Sequence, residues 1–352
     1  MCKRICFVTG EFLWRKPLIL LCLGTRPEYI KLKPLMDKMR GEIPFEILFT
    51  GQHVDLLKDM EFHHTLSIED GKNRLDSVLT SVFNKIDFSK YKAVMVQGDT
   101  ASALAIALSA FNNGCKVIHL EAGMRTYDKT EPFPEETYRQ CISRLADIHF
   151  TPSYIETNHL KDEKVSGEIY EVGNTVLDNL VDVPISYENE ILVTMHRREN
   201  HNNMDEWFKM IDELAKENTD FTFTLPLHPN PNVSKHRHLL EHVNVIEPLE
   251  YKKMVSLISK CKLILTDSGG IQEEASFLKK MVLLCRKNTE RLSLVDKNVI
   301  ICETPEKAQS RFCNLVQQKN YVYHGDSPYG DGHSSELIIK KLNKVLERHY
   351  HE

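Results

Sequence analysis

Short apolar runs alternate with helical patterns along almost the whole of this 352-residue chain, and no other feature limits its fold more. The runs fall at 18–23, 45–49, 93–96, 117–120, 149–150, 191–194, 221–225, 243–246, 263–266, 281–284 and 299–302. Most are continuously apolar, the pattern of parallel strands buried on both faces. Helical patterns lie between them, for example at 100–112, 134–147 and 251–260. Strands alternating with helices predict parallel sheets covered by helices on both sides. Eleven strands are too many for one small doubly wound sheet. The segment 178–190 is polar, broken by Pro184, and reads as a linker. The chain therefore divides into two Rossmann-like halves, 1–174 and 175–334. A last helix, 335–352, is free to pack back on the first half.

Charge and cysteine usage narrow the function classes. A net charge of −5 argues against a general nucleic-acid binder, which would show a basic surface. The nine cysteines form no CxxC pair, and several sit inside apolar runs. That fits reduced thiols and a cytoplasmic location. The longest apolar stretch, near 18–23, is too short to span a bilayer. Lys3 and Arg4 precede a few apolar residues, but Glu11 and Arg15 follow at once, so no signal peptide is read there. Residues 5–9 could be an edge strand or a loose start.

In doubly wound folds ligands sit at the carboxyl ends of the strands. The most informative such end is Leu263–Leu278, LILTDSGGIQEEASFL. Ser268, Gly269 and Gly270 turn into a helix expected to open at Ile271. Its free N–H groups and dipole suit a diphosphate. Glu273 and Glu274 in its first turn suit a ribose diol better than a phosphate. In the first half, Gly24 permits a sharp turn, and Arg26 and Lys31 are anion binders. Asp99 and Glu121 each follow an apolar run, and Glu135 opens a helix. Three carboxylates converging on one cleft would raise each other's pKa, preparing one to donate a proton while another accepts. The plain alternative is that each caps a helix or pairs with Arg125 or Arg139. His196 and Arg197 end a strand of the second half and suit phosphate, as does Arg291. His228 alone is weak, and the remaining histidine pairs make no convincing zinc site.

These segments add up to a family. GTRPEYIK, TGQH, VQGDT, HLEAGMRT, PFPEE, GNT, HRREN, DSGGIQEE and TER occur in this order from Leu18 to about His333. Together they resemble the non-hydrolysing UDP-N-acetylglucosamine 2-epimerases. The resemblance implies an α/β, GT-B-like fold: two Rossmann-like domains with parallel sheets and a cleft between them. It implies a UDP-sugar substrate, no cofactor and no metal, and a homodimer without nucleic-acid or membrane partners. The implied reaction interconverts UDP-GlcNAc and UDP-ManNAc by anti elimination of UDP to a 2-acetamidoglucal and re-addition, supplying ManNAc-type sugars for surface polysaccharide.

By motif, the resemblance makes Asp99, Glu121 and Glu135 the acid/base carboxylates. Arg26, Lys31 and His196 hold the pyrophosphate, His196 being counted with the catalytic groups. Ser268, Gly269 and Gly270 bind phosphate, Glu274 takes the ribose, Arg291 lies beside the nucleotide, and Met254 stands near the uracil. Gln52, His53, Arg197 and His228 match an allosteric UDP-GlcNAc site of bacterial members. Asp55 and Ser81 depart from it, Ser81 replacing an arginine, so activation by a second UDP-GlcNAc is expected to be lost. The competing readings are a 2-epimerase of a UDP-2,3-diacetamido-glucuronic acid, a GT-B glycosyltransferase and a non-catalytic nucleotide-sugar sensor.

Overall fold

A computed structural model describes residues 18–52, 62–69, 71–319 and 321–348. The first half runs β1 (Ile19–Leu23), α1 (Arg26–Met39), β2 (Phe45–Phe49), β3 (His64–Thr65), α2 (Arg74–Val82), β4 (Ala93–Gln97), α3 (Ala101–Asn112), β5 (Lys116–Leu120), α4 (Glu135–Leu145), β6 (Ile148–Thr151), α5 (Tyr154–Asp162) and β7 (Glu168–Glu171). The second runs β8 (Glu190–Thr194), α6 (Met204–Glu217), β9 (Thr222–Pro226), α7 (Pro231–Ser234), β10 (Asn244–Ile246), α8 (Tyr251–Lys260), β11 (Leu263–Thr266), α9 (Gly269–Phe277), β12 (Met281–Leu284), β13 (Val299–Ile301) and α10 (Pro305–Gln318). A final helix is α11 (Ser334–Arg348).

The strands form two sheets, ordered β3-β2-β1-β4-β5-β6-β7 and β10-β9-β8-β11-β12-β13. Their ladders are parallel throughout. Central strands such as β1 and β11 are buried at every residue, which is why they read as unbroken apolar runs. In each sheet the strand order reverses direction once, between β1 and β4 and between β8 and β11. Crevices open at such points, and Arg26, Asp99, His196 and Ser268 follow the strands that flank them.

The last helix belongs to the core of the first half. Ile338, Ile339, Leu342 and Val345 of α11 share one cluster with Leu32, Leu35 and Met36 of α1. The crossing is fixed by a short 3-10 turn, Thr175–Asn179. Its Asp178 carboxylate accepts from the backbone N–H of Ser334 (3.0 Å) and Ser335 (2.8 Å), capping α11. Among the described residues no helix is long and apolar enough to cross a membrane. His53, Asp55 and residues 1–17 lie outside the described residues.

Candidate active site

The β1–α1 turn is packed hard against α3. A Cβ on Gly24 would stand 2.2 Å from Ser102 Oγ and 2.5 Å from Thr50 Oγ1, so only glycine fits. Arg26 occupies the first position of α1, half-buried, with no hydrogen bond or ion pair to the other described residues. It is available to an anion. Lys31 is not: its Nζ lies 2.6 and 2.5 Å from the two carboxylate oxygens of Glu121. Burial pulls the Lys31 ammonium down, but Glu121 and Glu273 more than offset this and its proton is held tightly. The expected pyrophosphate lysine is thus a counter-ion to an expected acid/base group.

Glu121 takes φ +61°, a left-handed conformation uncommon for a residue with a Cβ. Besides Lys31 it accepts from the Gln97 amide, and Arg291 Nη2 of the second half stands 3.6 Å away. Asp99 instead accepts from Arg139 through Nε (2.9 Å) and Nη2. The structure therefore corrects the picture of three carboxylates perturbing one another. Two are each matched to cations, and Arg125 is occupied by Glu163 and Ser143. Glu135 fits the picture: burial first, and the Asp99 charge after it, hold its carboxyl above the ordinary range. The neighbouring Glu136 is structural, accepting from the N–H of Thr126 (2.9 Å) and Tyr127 (3.1 Å).

In the second half α9 starts at Gly269, two residues earlier than expected, with Ser268 as its N-cap. The Ser268 hydroxyl makes no capping bond, and the space beside Gly270 is open to about 4 Å. This leaves the N-terminal N–H groups of α9 facing the cleft. The earlier start moves Glu273 and Glu274 into the second turn. Glu273 is fully buried, taking Asn174 Nδ2 (2.6 Å) and Arg291 Nε (2.5 Å), and is no ligand group. Glu274 is buried beside Tyr251; desolvation raises its carboxyl to about 7. Met254, half-buried on α8, packs with Tyr251 against the same apolar cluster as Ile271.

Asp267 holds the other wall, accepting from the N–H of His196 (3.0 Å) and Arg197 (2.9 Å) and from Asn200 Nδ2 (3.1 Å). The His196 ring stacks on His228 with centroids 5.4 Å apart. Burial lowers the pKa of both imidazoles, so they meet a ligand as neutral donors rather than as counter-charges. Gln52 is turned to Ser102, accepting from its Oγ at 2.7 Å. Ser81 is buried and accepts from the Glu69 N–H at 3.1 Å. The Arg74 guanidinium does reach the Gly51 and Gln52 carbonyls, at 3.4 and 3.3 Å.

Sequence reasoning passed over Glu290, the carboxylate at the middle of this wall. It takes Arg291 Nη1 and lies 3.4 Å from Arg286 Nη1. A Cβ on Gly269 would meet Arg291 Nη1 at 2.7 Å, Glu290 Oε1 at 3.0 Å and Arg197 Nη2 at 3.2 Å, which puts these charges at the mouth of α9. Burial would raise the Glu290 carboxyl, but Arg291, Arg286, Arg139 and Arg197 hold it well below the ordinary range. Arg291, expected beside the nucleotide, is buried and paired with Glu273 and Glu290, with Glu121 3.6 Å away. The TER and GNT motifs were the available signals for Glu290 and Asn174.

Glu121 of the first half therefore stands 3.6 Å from Arg291 of the second, whose guanidinium lies beside the N-terminus of α9. The family described as UDP-N-acetylglucosamine 2-epimerase matches residues 37–343. The chain belongs to this family. A UDP-N-acetylglucosamine 2-epimerase of Campylobacter jejuni is 36% identical over 93% of this chain and 97% of its own. One of Neisseria meningitidis is 35% identical over 93% and 99%. The crystal structure of a Neisseria meningitidis UDP-GlcNAc 2-epimerase bound to UDP-GlcNAc superposes with a TM-score of 0.85 at 33% identity, over 93% of this chain and all of that one. Acinetobacter baumannii MurG, at 13% identity and a TM-score of 0.57, shares the fold alone.

Proposed function

We propose that this member of the epimerase family interconverts UDP-GlcNAc and UDP-ManNAc by eliminating UDP and adding it back. The observation that carries the reading is the contact between two unlike sites. Asp99, Glu121 and Glu135 sit at strand and helix ends of the first half, and the Glu121–Arg291 contact at 3.6 Å joins that half to the wall beside the N-terminus of α9. The Ser268–Gly270 amides and Arg26 take the diphosphate. Glu274 takes the ribose, and Met254 the base. One carboxylate removes the proton from sugar C2 while the C1–O bond breaks. This leaves 2-acetamidoglucal, with its C1=C2 double bond, and UDP. A proton then returns to C2 from the opposite face and UDP oxygen re-forms its bond to C1. Glu135, whose carboxyl pKa is raised by burial, is suited to donate a proton. Asp99 and Glu121, paired with Arg139 and Lys31, are the remaining carboxylates that reach the sugar.

The test is incubation with UDP-GlcNAc in D₂O followed by NMR at C2. Deuterium at C2 together with UDP-ManNAc supports the reading. UDP plus free sugar means hydrolysis, and an unchanged substrate overturns epimerisation. The family resemblance alone supports two further readings: a homodimer, and a product used for ManNAc-type sugars of surface polysaccharide.

A further inference from the structure

Glu28 is a carboxylate that the reaction does not use. It is 2% exposed, at the third position of α1. Thr25-x-x-Glu28 has the spacing of a capping box, in which the threonine side chain would bond the Glu28 N–H. The structure departs from that pattern, because Thr25 makes no side-chain cap bond. Its hydroxyl instead donates to Glu28 Oε2 at 2.8 Å, beside the Gly24 N–H at 2.8 Å. The other oxygen leaves the helix altogether. Glu28 Oε1 accepts from the Thr100 hydroxyl at 2.7 Å, across to the turn after β4. Thr100 follows Asp99 and is the N-cap of α3, accepting from the Ala103 N–H at 3.1 Å. A carboxylate buried this way is stable only when its lone pairs are used. Burial raises the Glu28 pKa, and the donors from Thr100, Gly24 and Thr25 oppose the rise.

We propose that Glu28 is a positioning residue for proton transfer. It ties the turn carrying Arg26 to the turn carrying Asp99, and so fixes the acid/base carboxylate relative to the diphosphate anchor. The assignment rests on the proposed role of Asp99 in epimerisation. Misplacing a reacting group by about 1 Å can cost up to about 10²-fold in rate. The bond that matters is the one between the turns, because the other two are local to α1.

Glu28→Gln isolates that bond. The amide oxygen still accepts from Gly24 and Thr25, while the amide nitrogen can only donate, so the Thr100 hydroxyl must turn to accept from it beside the Ala103 N–H and the charge-assisted bond between the turns is lost. Turnover and deuterium entry at C2 should fall about 10- to 100-fold, while the Kd for UDP by calorimetry changes less than about threefold. Thr100→Val should give the same split, Thr100→Ser should restore most of the rate, and Glu28→Gln combined with Thr100→Val should be no slower than the worse single variant. Additive losses, or UDP affinity falling in step with turnover, would overturn the assignment. If melting shows that Glu28→Gln does not fold, the two Thr100 variants carry the test, since they leave the bonds of Glu28 within its own turn intact. A wild type that exchanges no C2 proton overturns the proposed function and this assignment with it. A wild type that exchanges while the variants match it overturns the assignment alone.

Discussion

Glu274 shows how one side chain couples binding to pH. Its carboxyl is raised to about 7 because it is buried, with Tyr251 offsetting part of the cost. The unfolded chain holds that proton only to about pH 4.3. Between the two values the native state binds more protons, so stability falls as pH rises through the window and the loss is complete above it. The penalty is on the order of 3 kcal/mol. Glu274→Gln should therefore raise the urea midpoint at pH 8 and leave it nearly unchanged at pH 4. In the proposed role ribose hydroxyls donate to the ionised form, so UDP affinity should strengthen as pH rises through neutrality. Glu274→Ala should weaken UDP about tenfold or more, the scale of a hydrogen bond to a charged group of roughly 1.5–3 kcal/mol. Unchanged calorimetric affinity would remove Glu274 from the site. At the carboxylates, Asp99→Asn or Glu121→Gln should lower turnover by about 10²-fold or more, read as lost C2 deuteration in a folded protein. The residue types for this chemistry were readable from the chain, and a pairing with Arg139 was among its readings, but the Lys31–Glu121 pairing was not. Lys31 and Glu121 are ninety positions apart, and only the reversal of strand order between β1 and β4 brings α1 near the end of β5.

Among the elements, the sequence revealed those whose burial is uniform. β2, β11, β12 and α8 have the expected limits, and the other apolar strands shift by one or two residues. β3 and β7 were missed because both are polar edge strands; the sequence of β7 is Glu-Ile-Tyr-Glu, with no face fully buried. An edge strand lacks the unbroken apolar run that marks a central one. The start of α9 was set too late because paired glycines are poor helix formers. In the first turn of a helix, however, N–H groups need no intrahelical partner, and that freedom underlies the proposed anion seat. Gly24 belongs to the same class of constraint. Gly24→Ala should destabilise the protein by about 1–3 kcal/mol through overpacking against Ser102 and Thr50. Denaturant melts of Gly24→Ala with and without Ser102→Ala should show partial recovery in the double variant. Recovery that fails to appear would mean that the backbone of the turn, not the Ser102 hydroxyl, limits the space.

The two halves meet through charge, and Arg291 is where this can be measured. Its guanidinium faces Glu273 and Glu290 in its own half and Glu121 across the cleft. Removing one member of a buried ion cluster costs more than the cluster contributes, because the partners stay buried and unpaired. Arg291→Met should destabilise the protein by about 3–5 kcal/mol, with Arg286 and Asn174 still bound to the two carboxylates. The pH dependence separates charge from packing. In the wild type Glu290 is held well below the ordinary carboxyl range. It therefore contributes stability that is fully present above the unfolded value and is lost only as pH falls through the folded one. Without Arg291 the balance at Glu290 moves toward burial and at Glu273 further toward it. Glu273 then favours the proton, so stability falls as pH rises, while Arg286, Arg139 and Arg197 still face Glu290. The deficit of Arg291→Met should accordingly be present already at pH 4.5, where the Glu290 contribution is missing, and grow toward pH 7.5 as the buried Glu273 is forced to ionise, in urea melts. Arg291→Lys, which keeps the charge but not the fork, should lie between the two at pH 7.5. An equal deficit at both pH values would show that Arg291 joins the halves by filling space, and that the acid/base wall and the anion seat are not held in register by charge.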